Sequence, residues 1–179
     1  MGTSPLCLAA AVLAAALAGC SKADKAPDVS SNIRKSLDQA GFKDVSTSED
    51  RDKGVVTLGG HVASDAQKAQ ALGIAESQAA GVAVANQIAV IPPGDTHDAK
   101  AMNKDLDKGI EQNLDAALIY DKLKGSVSYS VKNHVVTLTG NVDSEDTRAR
   151  AQQVAASVPN VQQVVNELQV KDQKATASN

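Results

Sequence analysis

The apolar positions of this chain follow two alternating rhythms, one of period two and one near period four. Between Val55 and Val62, Val56, Leu58, Gly60 and Val62 fall on one side and Val55, Thr57, Gly59 and His61 on the other. That is the pattern of a half-buried strand, with the first set facing the core. Eighty residues later Val135–Val142 repeats it, with six of the eight residues identical. The same offset pairs Ser64-Asp65 with Ser144-Glu145, Ala75 with Ala155, and Asn86–Val90 with Asn166–Val170. A fixed offset over such a stretch means two related modules, and it excludes a single catalytic domain of this length.

The flanking patterns complete each module. Ile33, Leu37 and Ala40 form an apolar stripe closed by Gly41, and Leu106, Ile110, Leu114, Ala117 and Leu118 form a longer one. Each stripe predicts a helix ahead of a hairpin. In the first copy, Asp44–Ser48 leads through a polar loop over Glu49–Gly54. In the second, Val127–Val131 alternates, and Lys132-Asn133 is expected to turn into His134. Ser64 with Gln67 predicts a capping box. Ala71, Ile74 and Ala75, or Ala151, Val154, Ala155 and Val158, continue at helical spacing, the latter helix ending at Pro159-Asn160. Closing strands are expected over Val84–Val90 and Val161–Val170. The order helix, strand, strand, helix, strand, taken twice, predicts an α+β fold in which each module is a three-stranded mixed sheet with two helices on one face. Gly60 and Gly140 lie among the core-facing positions, where a missing side chain admits a neighbouring helix or a bulge. Pro92-Pro93-Gly94-Asp95 breaks the chain between modules.

The amino terminus carries an address. Leu6–Ala18 is apolar but shorter than the roughly 20 residues a spanning helix needs. Its small-residue end reads as a secretory signal with a cleavage site, although residues 1–7 contain no Lys or Arg. Leu17-Ala18-Gly19-Cys20 resembles a bacterial lipobox. The resemblance implies cleavage before Cys20, lipid (palmitate among it) on that cysteine, and, with Ser21 rather than Asp following, attachment at the periplasmic face of the outer membrane. Cys7 lies in the discarded segment, so the mature chain would have no thiol free for a disulfide and must be held by packing. Residues 20–28 form a polar tether.

A unit of αββαβ order with V-V-T-L-x-G-x-V before a Ser-capped, Ala-rich helix and a closing V-x-N-x-[IL]-x-V resembles the BON domain. Two such units behind a lipobox resemble the dual-BON outer-membrane lipoproteins. The resemblance covers modules over 29–91 and 105–171, nearly all of the mature chain; a signal peptide is expected over 1–19, a linker over 92–104 and a disordered tail over 172–179. Gly73 within a helix and the Ala-rich composition of the first module depart from the pattern. Each unit is marginal alone, since about 65 residues bury only around 60% of their unfolded surface. With Phe42, Tyr120 and Tyr129 the only aromatics, the modules are expected to pack on each other.

Composition narrows the chemistry. Eighteen basic against 21 acidic residues give a net charge of −3, and three aromatics cannot build a base-stacking platform, which argues against nucleic acid. His61, His97 and His134 share no position between the repeats. No C-x-x-C, H-E-x-x-H, calcium-loop, nucleophile-elbow or phosphate-loop motif is present. The expectation is a binding protein, not an enzyme, with no cofactor, no metal and no small-molecule substrate. The BON resemblance implies contact with phospholipid surfaces through the second module. An acidic protein needs a local basic patch for anionic headgroups. Lys100, Lys104 and Lys108 recur every four residues along one helical face, with Lys122, Lys124 and Tyr120 at the helix end. Asp98, Asp105, Asp107 and Glu111 intervene, as on a solvated face. Envelope proteins are the alternative partners. Tandem-BON relatives suggest a stress-induced periplasmic chaperone or scaffold, with edge strands open to strand addition.

Overall fold

In the computed structural model, residues 25–94 and 96–171 are described. Cys20 and the signal segment lie outside them. The first module runs α1 (Ser30–Gln39), β1 (Val45–Asp50), β2 (Val55–Val62), α2 (Asp65–Gln78), β3 (Ala83–Asn86) and β4 (Ala89–Val90). The second repeats this as α3 (Thr96–Tyr120), β5 (Val127–Lys132), β6 (Val135–Val142), α4 (Glu145–Ala156), β7 (Gln163–Asn166) and β8 (Gln169–Val170). The protein is α+β, with one mixed sheet per module. β2 pairs antiparallel with β1 and parallel with β3 and then β4; β6 pairs in the same way with β5, β7 and β8. Ile33, Leu37, Val56, Leu58, Ala71 and Ala75 are fully buried between sheet and helices, as are Leu114, Leu118, Val136, Leu138, Ala151 and Ala155. Burying each such leucine contributes roughly 1.5–3 kcal/mol.

Several local expectations need correction. The first hairpin loop is Arg51–Gly54, because β1 continues through Glu49 and Asp50 in register with Val56 and Val55. Glu49 is half-buried and its carboxylate accepts from the Val29 and Ser30 N–H groups, closing the start of α1. The second turn is Asn133-His134, not Lys132-Asn133. Both residues have positive φ (48° and 67°), the signature of a two-residue type I′ hairpin. Asp107 of α3 holds this turn, one carboxylate oxygen accepting from each N–H at 2.8 Å. α4 ends at Ala156, ahead of Pro159-Asn160.

Each closing strand is broken in the middle. Asn86 and its repeat-mate Asn166 donate their side-chain amides across to the Lys68 and Arg148 carbonyls of α2 and α4. The next residues, Gln87 and Glu167, donate backward to the Leu58 and Leu138 carbonyls. The V-x-N-x pattern therefore encodes a tie between strand and helix at the point where the ladder pauses.

The segment read as a linker is mostly helix. α3 starts at Thr96, so about its first four turns have no counterpart in α1, and they reach back over module one, where Asn103 donates to the Val90 carbonyl. The two first helices end alike. At Gly41 (φ 89°) Phe42 N–H bonds Leu37 O and Gly41 N–H bonds Asp38 O; at Lys122 (φ 59°) Leu123 N–H bonds Leu118 O and Lys122 N–H bonds Ile119 O. Both are Schellman endings, but the second forces a side chain into the left-handed region that glycine enters freely. Lys122→Gly should therefore raise stability by about 1 kcal/mol, read as an upward shift of the urea midpoint at unchanged slope.

The modules pack through their helix-free sheet faces. Val55 and Ala85 meet Val135 and Val165, all four buried. The contacts around this cluster obey the repeat. Each hairpin tip reaches the other module's strand break: Asn133 donates its amide to Gln87 O at 2.7 Å, and Lys53 pairs with Glu167 at 2.8 Å. That hydrogen bond with Glu167 holds the Lys53 ammonium above its ordinary pKa. Gln163 breaks the symmetry. Its amide donates to Val84 O and accepts from Asn86 N–H, closing the open edge of β3, whereas its repeat-mate is Ala83. The sheets stay separate, joined by side chains rather than by a shared ladder.

Candidate functional site

The helical period places Leu118 fully inside the second core and leaves Ile119 and Tyr120 outside. The buried stripe on α3 is Ile110, Leu114 and Leu118, and Ile119 stands one residue, or about 100°, off it. Ile119 is 58% exposed and Tyr120 is 87% exposed. The chain then reverses at Lys122, and Leu123 returns to the core. The outcome is a blunt tip at the end of α3 with two large apolar side chains in solvent and the exposed Lys122 beside them. Ile119 was not among the residues the sequence singled out, yet an apolar residue off the buried stripe was the available signal.

The lysines do not form one patch. Lys100, Lys104 and Lys108 are exposed and lie on the amino-terminal half of α3. At 1.5 Å per residue, Lys108 is about 18 Å and Lys100 about 30 Å from Tyr120 along the axis. Lys124 is at the tip but engaged: it pairs with Asp115 and its ammonium lies 4.9 Å from the centre of the Tyr129 ring. Tyr129 in turn donates to Asp115 at 2.8 Å, and burial raises the pKa of its hydroxyl. Asp121 is held by Arg150. Among the described residues, Lys100, Lys104, Lys108 and Lys122 have no carboxylate within 4.0 Å. Asp107, counted among the acids diluting this face, is turned inward onto the Asn133-His134 N–H groups.

Gly60 and Gly140 are backbone positions. Their φ values are 89° and 128°, and an added Cβ would stand 1.9 Å from Asp44 O or 2.5 Å from Ser126 O. The close neighbour is therefore the chain just ahead of the partner strand, where His61 N–H reaches Asp44 O, and not a helix.

A second feature lies where the modules meet. Lys68 of α2 is 8% exposed, and its ammonium donates to Asn133 O at 3.4 Å and Gln162 Oε1 at 3.0 Å. Burial lowers its pKa, partly opposed by Asp65 and Asp107. His134 Nε2 is buried without a partner, and burial likewise lowers the imidazole pKa. Both line a cavity of about 390 Å³. Sequence reasoning passed over Lys68 because a lysine on a polar helix looks solvated. Among the described residues, no group of three or more His, Cys, Asp or Glu side chains converges as a metal site, and no helix is long and apolar enough to cross a membrane.

Comparison with known proteins agrees with the duplicated architecture. The chain is 29% identical over 137 residues to osmotically-inducible protein Y of Escherichia coli (strain K12), covering 75% of this chain and 67% of that protein. Among solved structures, CdsD, a structural protein of the type III secretion system of Chlamydia trachomatis, aligns over 83% of this chain and 94% of its own at 15% identity, with a TM-score of 0.37. Its C-terminal domain aligns over 81% and 98%, at 15% identity and a TM-score of 0.35. The model of the BON domain matches twice, over residues 26–92 and 106–172, the first match enclosing a whole helix–hairpin–helix–strand unit and the second starting within α3 and running through β8. With well over half its length matched in two copies, the chain belongs to the BON domain family.

Proposed function

We propose that this is an osmotic-stress-related protein of the cell envelope, anchored by lipid on Cys20 at the periplasmic face of the outer membrane. Its second module contacts anionic phospholipid through the end of α3. Family membership and the likeness to an osmotically inducible protein support the envelope setting. The observation that carries the lipid contact is the exposure of Ile119 and Tyr120 next to Lys122. Magnitudes set the mode of action. Inserting two such side chains yields about 3 kcal/mol, and a lysine near an anionic surface about 1 kcal/mol. The total corresponds to millimolar affinity, about −4 kcal/mol. Contact this weak matters only when an anchor already holds the protein at the bilayer, where effective concentrations are themselves millimolar.

The chain expected after cleavage, residues 20–179, carrying Cys20→Ser tests this by co-sedimentation with phosphatidylglycerol vesicles. Measurable binding is expected, weakened by salt and absent on phosphatidylcholine. Replacing Ile119 and Tyr120 by serine should reduce it roughly tenfold or more. Lys104→Glu with Lys108→Glu should reduce it less, because those lysines stand away from the tip. No sedimentation with anionic vesicles, or binding indifferent to Ile119 and Tyr120, contradicts the lipid contact. The alternative role, a chaperone or scaffold, draws on the outer edges of β1 and β5, which have no strand partner among the described residues. Crosslinking in intact cells that yields protein adducts along β5 would favour it.

A further inference from the structure

The cavity between the modules has a construction that packing alone does not account for. The repeat supplies a control. Glu145 and Arg148 on α4, three residues apart, form an ion pair at 3.5 Å. Their repeat-mates on α2 are Asp65 and Lys68, at the same spacing, and they are not within 4.0 Å of each other. Lys68 turns away from Asp65 into the interface, where its two hydrogen-bond partners are neutral oxygens. A largely buried ammonium with no carboxylate in contact is costly, Asp65 and Asp107 opposing its burial only in part, and an anionic group reaching it would offset more of that cost. The third ammonium N–H is not used by either bond.

The remaining lining and the volume define what fits. His134 lines the same cavity, and its Nε2 is buried without a hydrogen-bond partner. Asp65 and Asp98 also line it, so two carboxylates stand against one ammonium and a lone anion would be repelled. Ile88, Val90, Pro92 and Met102 supply an apolar wall, Met102 being 63% exposed. A volume near 390 Å³ lies in the range of small-molecule sites, about 300–1,000 Å³, and far exceeds the roughly 30 Å³ of one water. The cavity also depends on both modules and on the extra turns of α3, which bring Asp98 and Met102, so it has no counterpart in a single module.

We propose that this cavity binds a small zwitterion of the phosphoethanolamine type, its anionic group held by Lys68, its ammonium faced by Asp65 and Asp98, and any apolar remainder laid on Pro92 and Met102. The ligand is bound, not turned over. The site is separate from the tip of α3, so anionic-vesicle binding and occupancy of the cavity succeed or fail independently.

Titration of 15N- and methyl-labelled residues 20–179, the chain expected after cleavage, carrying Cys20→Ser and followed by NMR, tests it. O-phosphoethanolamine should give saturable shifts at His134 and the Met102 methyl, while inorganic phosphate and ethanolamine each bind roughly tenfold more weakly. Lys68→Met should abolish the response. Asp98→Asn, at an exposed position outside both cores, should weaken it several-fold while leaving the fold intact. Tighter binding of monomeric dihexanoyl phosphatidylethanolamine assigns the occupant to a lipid headgroup; equal binding assigns it to a soluble zwitterion. Phosphate binding as tightly as the zwitterion overturns the proposal. So does the absence of shifts at His134 with any probe, or binding unaffected by both substitutions.

Discussion

Gly60→Ala should lower the stability of the chain by about 3 kcal/mol, the largest effect expected of adding a single methyl group here. Two costs combine. The φ of 89° belongs to the left-handed side of conformational space, which costs a side-chain-bearing residue about 1–2 kcal/mol. The new Cβ also stands 1.9 Å from Asp44 O and 3.2 Å from Val45 Cα, so backbone must move to admit it. That movement parts β1 from β2 where His61 N–H meets Asp44 O. Gly59→Ala is the control: its Cβ meets only the Ser46 hydroxyl at 2.9 Å, a side chain free to rotate, and the expected loss is under about 1 kcal/mol. Urea unfolding of both variants checks the contrast. A Gly60→Ala midpoint equal to that of Gly59→Ala would show that the approach of the two strands is not constrained as described.

Val135→Asp should uncouple the modules. Val135 is 1% exposed and belongs to the interface cluster with Val55, Ala85 and Val165, not to the core of its own module. An uncompensated carboxylate at such a site costs about 3–5 kcal/mol. Module two need not unfold to escape it, because opening the interface returns the carboxylate to water. The expected calorimetric trace therefore has two transitions, each module melting separately and below the wild-type temperature. Val135→Ala, which only trims the contact, should cost about 1–2 kcal/mol and keep one transition. A single, merely lowered transition for Val135→Asp would mean that the residue serves the core of module two rather than the junction.

The elements that sequence alone revealed are those built by local patterning. The V-V-T-L strands alternate within themselves, and Ser64 caps α2 through a bond to Gln67 N–H three residues away. Tertiary contacts set the features it missed. The break in the closing strand depends on Asn86 reaching Lys68 O, 18 residues back. The shift of the second turn to Asn133-His134 is fixed by Asp107, 26 residues earlier. A histidine at positive φ is not a turn signal, so the sequence favoured the residue before. The first turns of α3 follow Pro92-Pro93-Gly94 and carry no apolar stripe, which made them look like linker; Asn103 and the wall of the cavity give them a surface to rest on. Val55 and Val135 were legible in hindsight. Both are apolar on the face assigned to solvent, and an apolar residue repeated there by both modules marks the surface through which they join.

The candidate site divides along the same line. The exposed Tyr120 at the end of the helix was visible as a residue beyond the last buried leucine. The engagement of Lys124 by Asp115 and Tyr129 was not, because it joins a helix to a strand that the sequence treats as separate motifs. Lys68 and His134 come together only when two modules do, and no pattern within either repeat contains that information.

The two modules behave as one body, and native-state hydrogen exchange measures this directly. The Val56 and Leu58 amides report the centre of the first sheet, and Val136 and Leu138 report the second. The expected result is one opening free energy for all four, equal to that of global unfolding and falling in parallel with denaturant. Opening energies that differ between the sheets by more than about 2 kcal/mol, with separate denaturant slopes, would mean two independent domains on a string and would contradict the interface on which the cavity depends.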